Sequence, residues 1–169
     1  MFQPNYTITP TLLANIKRVT ALVTELNSKH FSEVILLDFE RKARGVSAHS
    51  STSIEGNPLP LTEVKKILKH APEHVRDSEK EVLNYNQALV ILNTRTKQDD
   101  THFDLDLILS IQRTVTDGLI HEFRSGKLRQ EPVFVNNPQT RQPIYFPPDH
   151  KDIPGLVDEL LQYVNENKT

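Results

Sequence analysis

Cysteine is absent from this chain of 169 residues, so a disulfide scaffold and a thiolate metal site are both excluded. Long apolar runs are absent too. No stretch would span a membrane, and the opening MFQPNYTITP lacks the basic and apolar regions of a signal peptide, which makes a cytoplasmic location the expectation. Neither sign of charge dominates: 20 Lys and Arg against 22 Asp and Glu leave a formal charge of −2, which gives no reason to expect nucleic acid as a partner. Seven histidines remain, but no two stand at ligand spacing with a carboxylate on a convincing helix face, so no metal site is expected. Repeats and low-complexity stretches are also missing. What is present, 37% hydrophobic and 25% charged residues, fits one soluble domain or part of a somewhat larger one.

The apolar periodicity is mostly helical. Leu12, Leu13, Ile16, Val19, Leu22, Val23 and Leu26 recur at three- and four-residue steps, and Thr9-Pro10 supplies a cap and a first-turn proline. A second pattern runs from near Phe31 through Val34, Ile35, Asp38, Lys42 and Val46 to Ile54. Leu61 to Leu68 reads as a short third helix. Ser78 to Leu92 reads as a fourth, opened by a Ser-x-x-Glu capping box, and Phe103 to Ile120 as a fifth. Two β-prone runs follow, Val133-Phe134-Val135 and Ile144-Tyr145-Phe146, joined by a polar loop as in a hairpin. Pro143 marks the second run as an edge strand. A last helix, capped by Asp152, carries Leu156, Leu160, Leu161 and Val164. The fold class expected is all-α, a helical bundle with one small β-hairpin.

The end of the second helix is the unusual stretch. HSSTSIEGNP, His49 to Pro58, places small hydroxyl residues and one carboxylate, Glu55, at the close of a helical pattern, and then stops it with Gly56, Asn57 and Pro58. Ser and Thr compete for backbone hydrogen bonds and are mediocre helix formers, so something outside the segment must hold it helical. Ser51 and Glu55 lie one turn apart on the same face. In the last turn the helix dipole disfavours an anion by a few tenths to about 1 kcal/mol, so Glu55 would welcome a cationic partner.

These residues carry a resemblance. Ser51-Thr52-Ser53-Ile54-Glu55-Gly56 is similar to the Ser/Thr-x-x-x-Glu-Gly/Asn inhibitory motif of the Fic family, whose best-known activity is transfer of AMP from ATP to hydroxyl side chains of target proteins. SSTSIEGN, LTEVKKIL, EVLNYNQAL, VTDGLIHEFRSGKLR, a hairpin ending in YFPP and DIPGLVDELLQYVN resemble, in that order, the N-terminal half of such proteins. The catalytic loop of the family, His-x-Phe-x-Asp/Glu-Gly-Asn-Gly-Arg-x-x-Arg, does not occur in the sequence. Its general-base histidine, its phosphate-holding Gly-Asn-Gly turn and its arginines are missing with it, so no catalytic residue is assigned. His121 to Arg129, HEFRSGKLR, imitates that loop at His, Phe, Gly and Arg. Ser125 stands where the acidic residue belongs, though, and Lys127-Leu128 where Asn-Gly belongs. It is better matched to a Gly-x-x-Arg element leading into the hairpin.

The resemblance implies roles for eight residues. Ser51, Glu55 and Gly56 would be regulatory, Glu55 pairing with a catalytic-loop arginine that otherwise binds the γ-phosphate of ATP. Val133, Phe134, Val135, Ile144 and Tyr145 would form a flap that aligns an extended segment of a target protein through main-chain hydrogen bonds. Asn84-Tyr85 and Asp117-Gly118 also match the family but read as packing and turn residues. The expected organisation is an N-terminal helical region, 1–75, carrying the inhibitory helix, and the N-terminal half of a Fic-like core, 76–169. ATP and Mg²⁺ belong to the complete enzyme, and none is expected for this chain alone. The expected partners are a target segment and a catalytic Fic half, in cis or in trans. A free-standing, antitoxin-like inhibitor and a helical interaction module without nucleotide function are the alternatives. If the catalytic half is absent, the faces of the fifth and last helices around Leu109, Leu156 and Leu160 are partly uncovered, and homo-oligomerisation is the consequence.

Overall fold

The computed structural model describes residues 2–98, 102–137 and 139–166. Six helices are formed among them: α1 (Pro10–Asn27), α2 (Glu33–Ile54), α3 (Leu61–Lys69), α4 (Asp77–Lys97), α5 (Leu105–Thr116) and α6 (Ile153–Glu166). A two-stranded antiparallel ribbon, β1 (Val135–Asn136) and β2 (Pro143–Tyr145), lies between α5 and α6. The fold is therefore all-α with one small hairpin, as the periodicity implies. None of the helices is long and apolar enough to cross a membrane.

Two compact units divide the chain, Gln3–Ala43 and Arg44–Thr169 with Met1–Phe2. In the first, Thr9 caps α1 by accepting the Leu12 N–H on its hydroxyl at 3.1 Å, and Pro10 begins the helix. Phe31 and Phe39 meet edge to face, with ring centroids 5.7 Å apart. No described residue of this unit is buried.

In the second unit the core is small. Ala48, Leu59, Val64, Ile67 and Val82 form one buried cluster, with Leu68, Leu83 and Tyr85 packed against it. It joins the end of α2 to α3 and α4, and α4, α5 and α6 then pack in succession. Asn84 on α4 donates from Nδ2 to the carbonyls of Val115 (3.3 Å) and Asp117 (2.8 Å), satisfying carbonyls that the end of α5 would otherwise leave unpaired. Asn165 on α6 bonds the backbone of Phe103 in both directions, at 2.6 and 3.2 Å. Leu156 and Leu160 on α6 are exposed and Leu109 is half-buried, which agrees with the expected partial uncovering.

Three local expectations are corrected. The fourth helix starts at Asp77, not Ser78, and Ser78 is not its cap. Glu79 takes that role from the other side: its carboxylate, 7% exposed, accepts the Arg76 backbone N–H at 2.8 Å and the Arg76 guanidinium at 2.5 and 3.0 Å. Arg76 also reaches Glu63 on α3 at 3.0 Å, so a bridge between two helices outcompetes the local Ser-x-x-Glu box. The fifth helix ends at Thr116, four residues early, because Gly118 turns the chain at φ +63°. At α6 the Asp152 carbonyl receives the Leu156 N–H at 3.1 Å, while the side chain that caps a nearby amide is Asp149, on Lys151 at 2.9 Å.

The hydrogen bond from Arg76 holds the Glu79 carboxyl below its ordinary value, helped by the Arg76 backbone N–H and opposed by burial. A carboxyl lowered on folding stabilises the fold above its unfolded value, near 4.3, and loses that contribution as pH falls through the lowered value. Glu79→Gln should therefore destabilise the chain at pH 7, with the difference from wild type shrinking as pH falls through the lowered value; urea melts across pH measure it. Val64→Ala, at a fully buried position, should cost roughly 1 to 3 kcal/mol in the same experiment.

Candidate functional site

The terminus of α2 is closed by paired 6→1 and 5→2 hydrogen bonds. Asn57 N–H donates to Thr52 C=O and Gly56 N–H to Ser53 C=O, both at 3.0 Å, with Gly56 left-handed at φ +96°. This fixes Glu55 as the C-cap, one residue beyond the last helical residue, Ile54. The hydroxyl-rich spelling of the segment also finds its use here. Thr52, 4% exposed, returns its hydroxyl proton to Ala48 C=O at 2.8 Å, and Ser51 Oγ donates to Tyr85 Oη on α4 at 2.8 Å.

A second anchor follows at once. Asn57, 8% exposed, donates from Nδ2 to Ser78 C=O (2.8 Å) and Glu81 Oε2 (2.6 Å) on α4, and its Oδ1 accepts the Leu59 N–H at 3.1 Å. Every hydrogen-bonding capacity of this amide that matters is used. Ser51 and Asn57 thus pin the α2 terminus to α4 on either side of Glu55. Glu55 itself is exposed, and its carboxylate makes no hydrogen bond or ion pair with any described residue. It is an anion placed against the negative end of a helix dipole, on a rigid mount, without a cation.

The five hairpin residues are brought together, though on strands displaced from those the sequence suggests. Val135 pairs with Tyr145 and Asn136 with Pro143, across an irregular register. Val133 and Phe134 precede β1 and Phe146 follows β2, so both expected strands shift toward the turn, the first shortening to two residues and the second keeping three. Pro143 has no N–H to donate. Asn137 shapes the turn, its Oδ1 accepting the N–H groups of Gln139 (2.8 Å) and Thr140 (3.2 Å), with Arg141 left-handed at φ +57°. Pro138 lies outside the described residues. Phe134 and Phe146 face each other edge on, with centroids 5.8 Å apart, and Phe134, Val135, Ile144 and Tyr145 are all exposed. Arg129 clasps the base of the ribbon, its guanidinium donating to the carbonyls of Glu131 and Pro148. The Gly-x-x-Arg element does lead into the hairpin.

The HEFRSGKLR stretch forms turns beside a crevice of about 800 Å³ lined by Arg113, Asp117, His121, Glu122, Phe123 and Lys127 among others. Its charges are of both signs. The Gly126 amide, which an anion nest would need, donates instead to Gln112 Oε1, and Ser125 Oγ lies 3.1 Å from Thr116 Oγ1. Among the described residues no group of three His, Asp or Glu side chains is placed to hold a metal ion.

Superposition on solved structures finds the crystal structure of a Fic family protein from Desulfovibrio desulfuricans G20, with a TM-score of 0.67 over 99% of this chain and 49% of that chain, at 22% sequence identity. The chain has a Fic-like helical fold. It spans about half the length of that Fic family protein. No protein-family model and no curated protein matches the sequence. At this identity the likeness establishes the Fic-like fold, and the local geometry has to speak for the site.

Tyr85 and Asn57 are residues whose part was not foreseen. Tyr85 has no local signal, since its partner is 34 positions away, whereas the Asn57-Pro58 dipeptide does announce a turn. Gly56→Ala should cost about 1 to 2 kcal/mol through backbone strain alone, because a Cβ there meets nothing within 4 Å. Asn57→Ala, which strands half-buried groups on α4, should cost about 1 to 3 kcal/mol. Denaturant unfolding measures both, and equal stability of either variant with wild type would contradict the clamp.

Proposed function

We propose that this chain is the auto-inhibitory and target-positioning part of a Fic-type protein adenylyltransferase. Glu55 is the inhibitory group. Its carboxylate binds an arginine of the catalytic loop supplied by the other half of the enzyme, in cis or in trans. A guanidinium held by both oxygens of a carboxylate is not free to bind a phosphate, because the two anions want the same donors. What carries this function is the exposed, unpartnered carboxylate at a helix terminus fixed on two sides, within a Fic-like fold.

Each neighbour has a part in that design. Gly56, the residue after Glu55, turns the chain out of the helix, so Glu55 stands at the tip of α2, just beyond Ile54. Ser51 and Tyr85 keep the last turn from fraying, which preserves the direction in which Glu55 points. The ribbon serves as the flap: Val133, Phe134, Val135, Ile144 and Tyr145 offer an extended target segment a short, exposed edge and an aromatic pair. The Gly126 amide of the HEFRSGKLR stretch is already engaged by Gln112, and ATP with Mg²⁺ is proposed for the complete enzyme. Nucleotide chemistry therefore belongs to the catalytic loop, and no step of it is assigned here.

The test joins the chain to a half carrying that loop and follows labelled AMP. Losing a charge-assisted pair of about 1.5 to 3 kcal/mol should raise incorporation roughly ten- to hundredfold in Glu55→Gly. Ser51→Ala should raise it less, since only an orienting hydrogen bond of about 0.5 to 1.5 kcal/mol is lost. A folded Glu55→Gly protein no more active than wild type would remove Glu55 from the role.

A further inference from the structure

The helix α1 leaves an uncovered apolar stripe of unusual regularity. Leu12, Ile16, Val19, Val23 and Leu26 follow one another at steps of four, three, four and three residues, the spacing of a coiled-coil seam, and each is 39–58% exposed. Leu13 and Leu22 widen the stripe on its two sides. The charged residues of the helix, Lys17, Arg18 and Glu25, all project from the opposite face. Beyond the turn, the start of α2 carries Val34, Ile35, Leu36, Leu37 and Phe39, apolar on almost every side and all exposed. A helix that is hydrophobic all round belongs in an interior.

We infer that residues 10–39 are a dimerisation element, and that the α1 stripe is covered by the α1 stripe of a second copy of this chain. Three observations favour a second copy over a different protein. The seam contains no charge, so two identical stripes face each other without like-charge repulsion. The occupants at alternating seam positions are β-branched Ile16 and Val23 on one side and Leu12, Val19 and Leu26 on the other, close to the pattern that favours two strands. The area is of the right order: the seven large apolar side chains of α1 stand 39–58% exposed and at roughly 100 Å² apiece offer about 700 Å², to which Phe31 and the start of α2 add, against about 800 Å² per partner in a standard interface. This surface owes nothing to Glu55 or to the ribbon, so it stands or falls apart from the proposed inhibition.

Val19 is the middle member of the five. In any two-fold pairing that overlays the whole stripe, parallel or antiparallel, Val19 meets its own copy. Because the chain has no cysteine, Val19→Cys introduces a single thiol there, and Ala21→Cys places one on the far face. Mild oxidation at micromolar concentration should link most of the Val19→Cys chains in pairs and few of the Ala21→Cys chains. By light scattering after gel filtration, wild type should show twice the chain mass. Ile16→Glu/Val23→Glu should raise the dimer dissociation constant at least about a hundredfold, since charges would then face their own copies. Its core melting should be unchanged, because both positions are exposed. A wild-type chain that stays monomeric at high micromolar concentration would overturn the inference and leave the stripe to a different protein. A dimer indifferent to Ile16→Glu/Val23→Glu would also overturn it, and would move the contact to another face such as that of Leu156 and Leu160 on α6.

Discussion

The side-chain amide of Asn57 is the constraint on which the arrangement depends. It is nearly buried, and it can be so only because Ser78 C=O, Glu81 and the Leu59 N–H use its donors and acceptor. That single residue joins the end of α2, the turn into α3 and the start of α4. The small core beside it, Ala48, Leu59, Val64, Ile67 and Val82, supplies the apolar part of the same junction. A cluster of this size could pack in several ways, and a buried polar network selects one of them. The direction in which Glu55 points is a consequence of that selection.

The chain divides its labour between two kinds of surface. Residues 44–169 have a core and a network of hydrogen bonds that tie loops to helices, and there the groups of the proposed function are held: Glu55 at a capped helix end, the hairpin at a base clasped by Arg129. Residues 3–43 bury nothing and carry their apolar residues on the outside. Isolated helices of such length are marginal in water, and most helical stability comes from covering an apolar face. The proposed dimer would cover this one, through the neutral, self-compatible seam of α1.

Much of the fold was legible in the sequence because its signals are local. Thr9-Pro10 and the stripe from Leu12 to Leu26 fix α1 almost to the residue, and Gly56 marks the end of α2 through a backbone angle that other residues resist. Non-local competition defeated the local signal at the start of α4. The Ser78 box is sound chemistry, but Arg76 has a second carboxylate within reach on α3, and the Glu63-Arg76-Glu79 bridge fixes the helix start earlier. The hairpin was found and its strands placed too far from the turn, because β-propensity speaks for side chains and not for ladder partners: Phe134 and Phe146 pair through their rings, outside the strands. Of the candidate site, the motif residues were visible and their support was not. Tyr85 reaches Ser51 across 34 positions, a relation that no window along the chain contains.

The most direct measurement is a crystal structure of this chain joined to, or bound with, the half that carries the catalytic loop. The account predicts the Glu55 carboxylate against a loop arginine, two parallel N–H to O contacts of about 2.7–2.9 Å, with the Ser51–Tyr85 and Asn57 contacts retained. A Glu55 side chain turned to solvent while every loop arginine is free or paired elsewhere would contradict it.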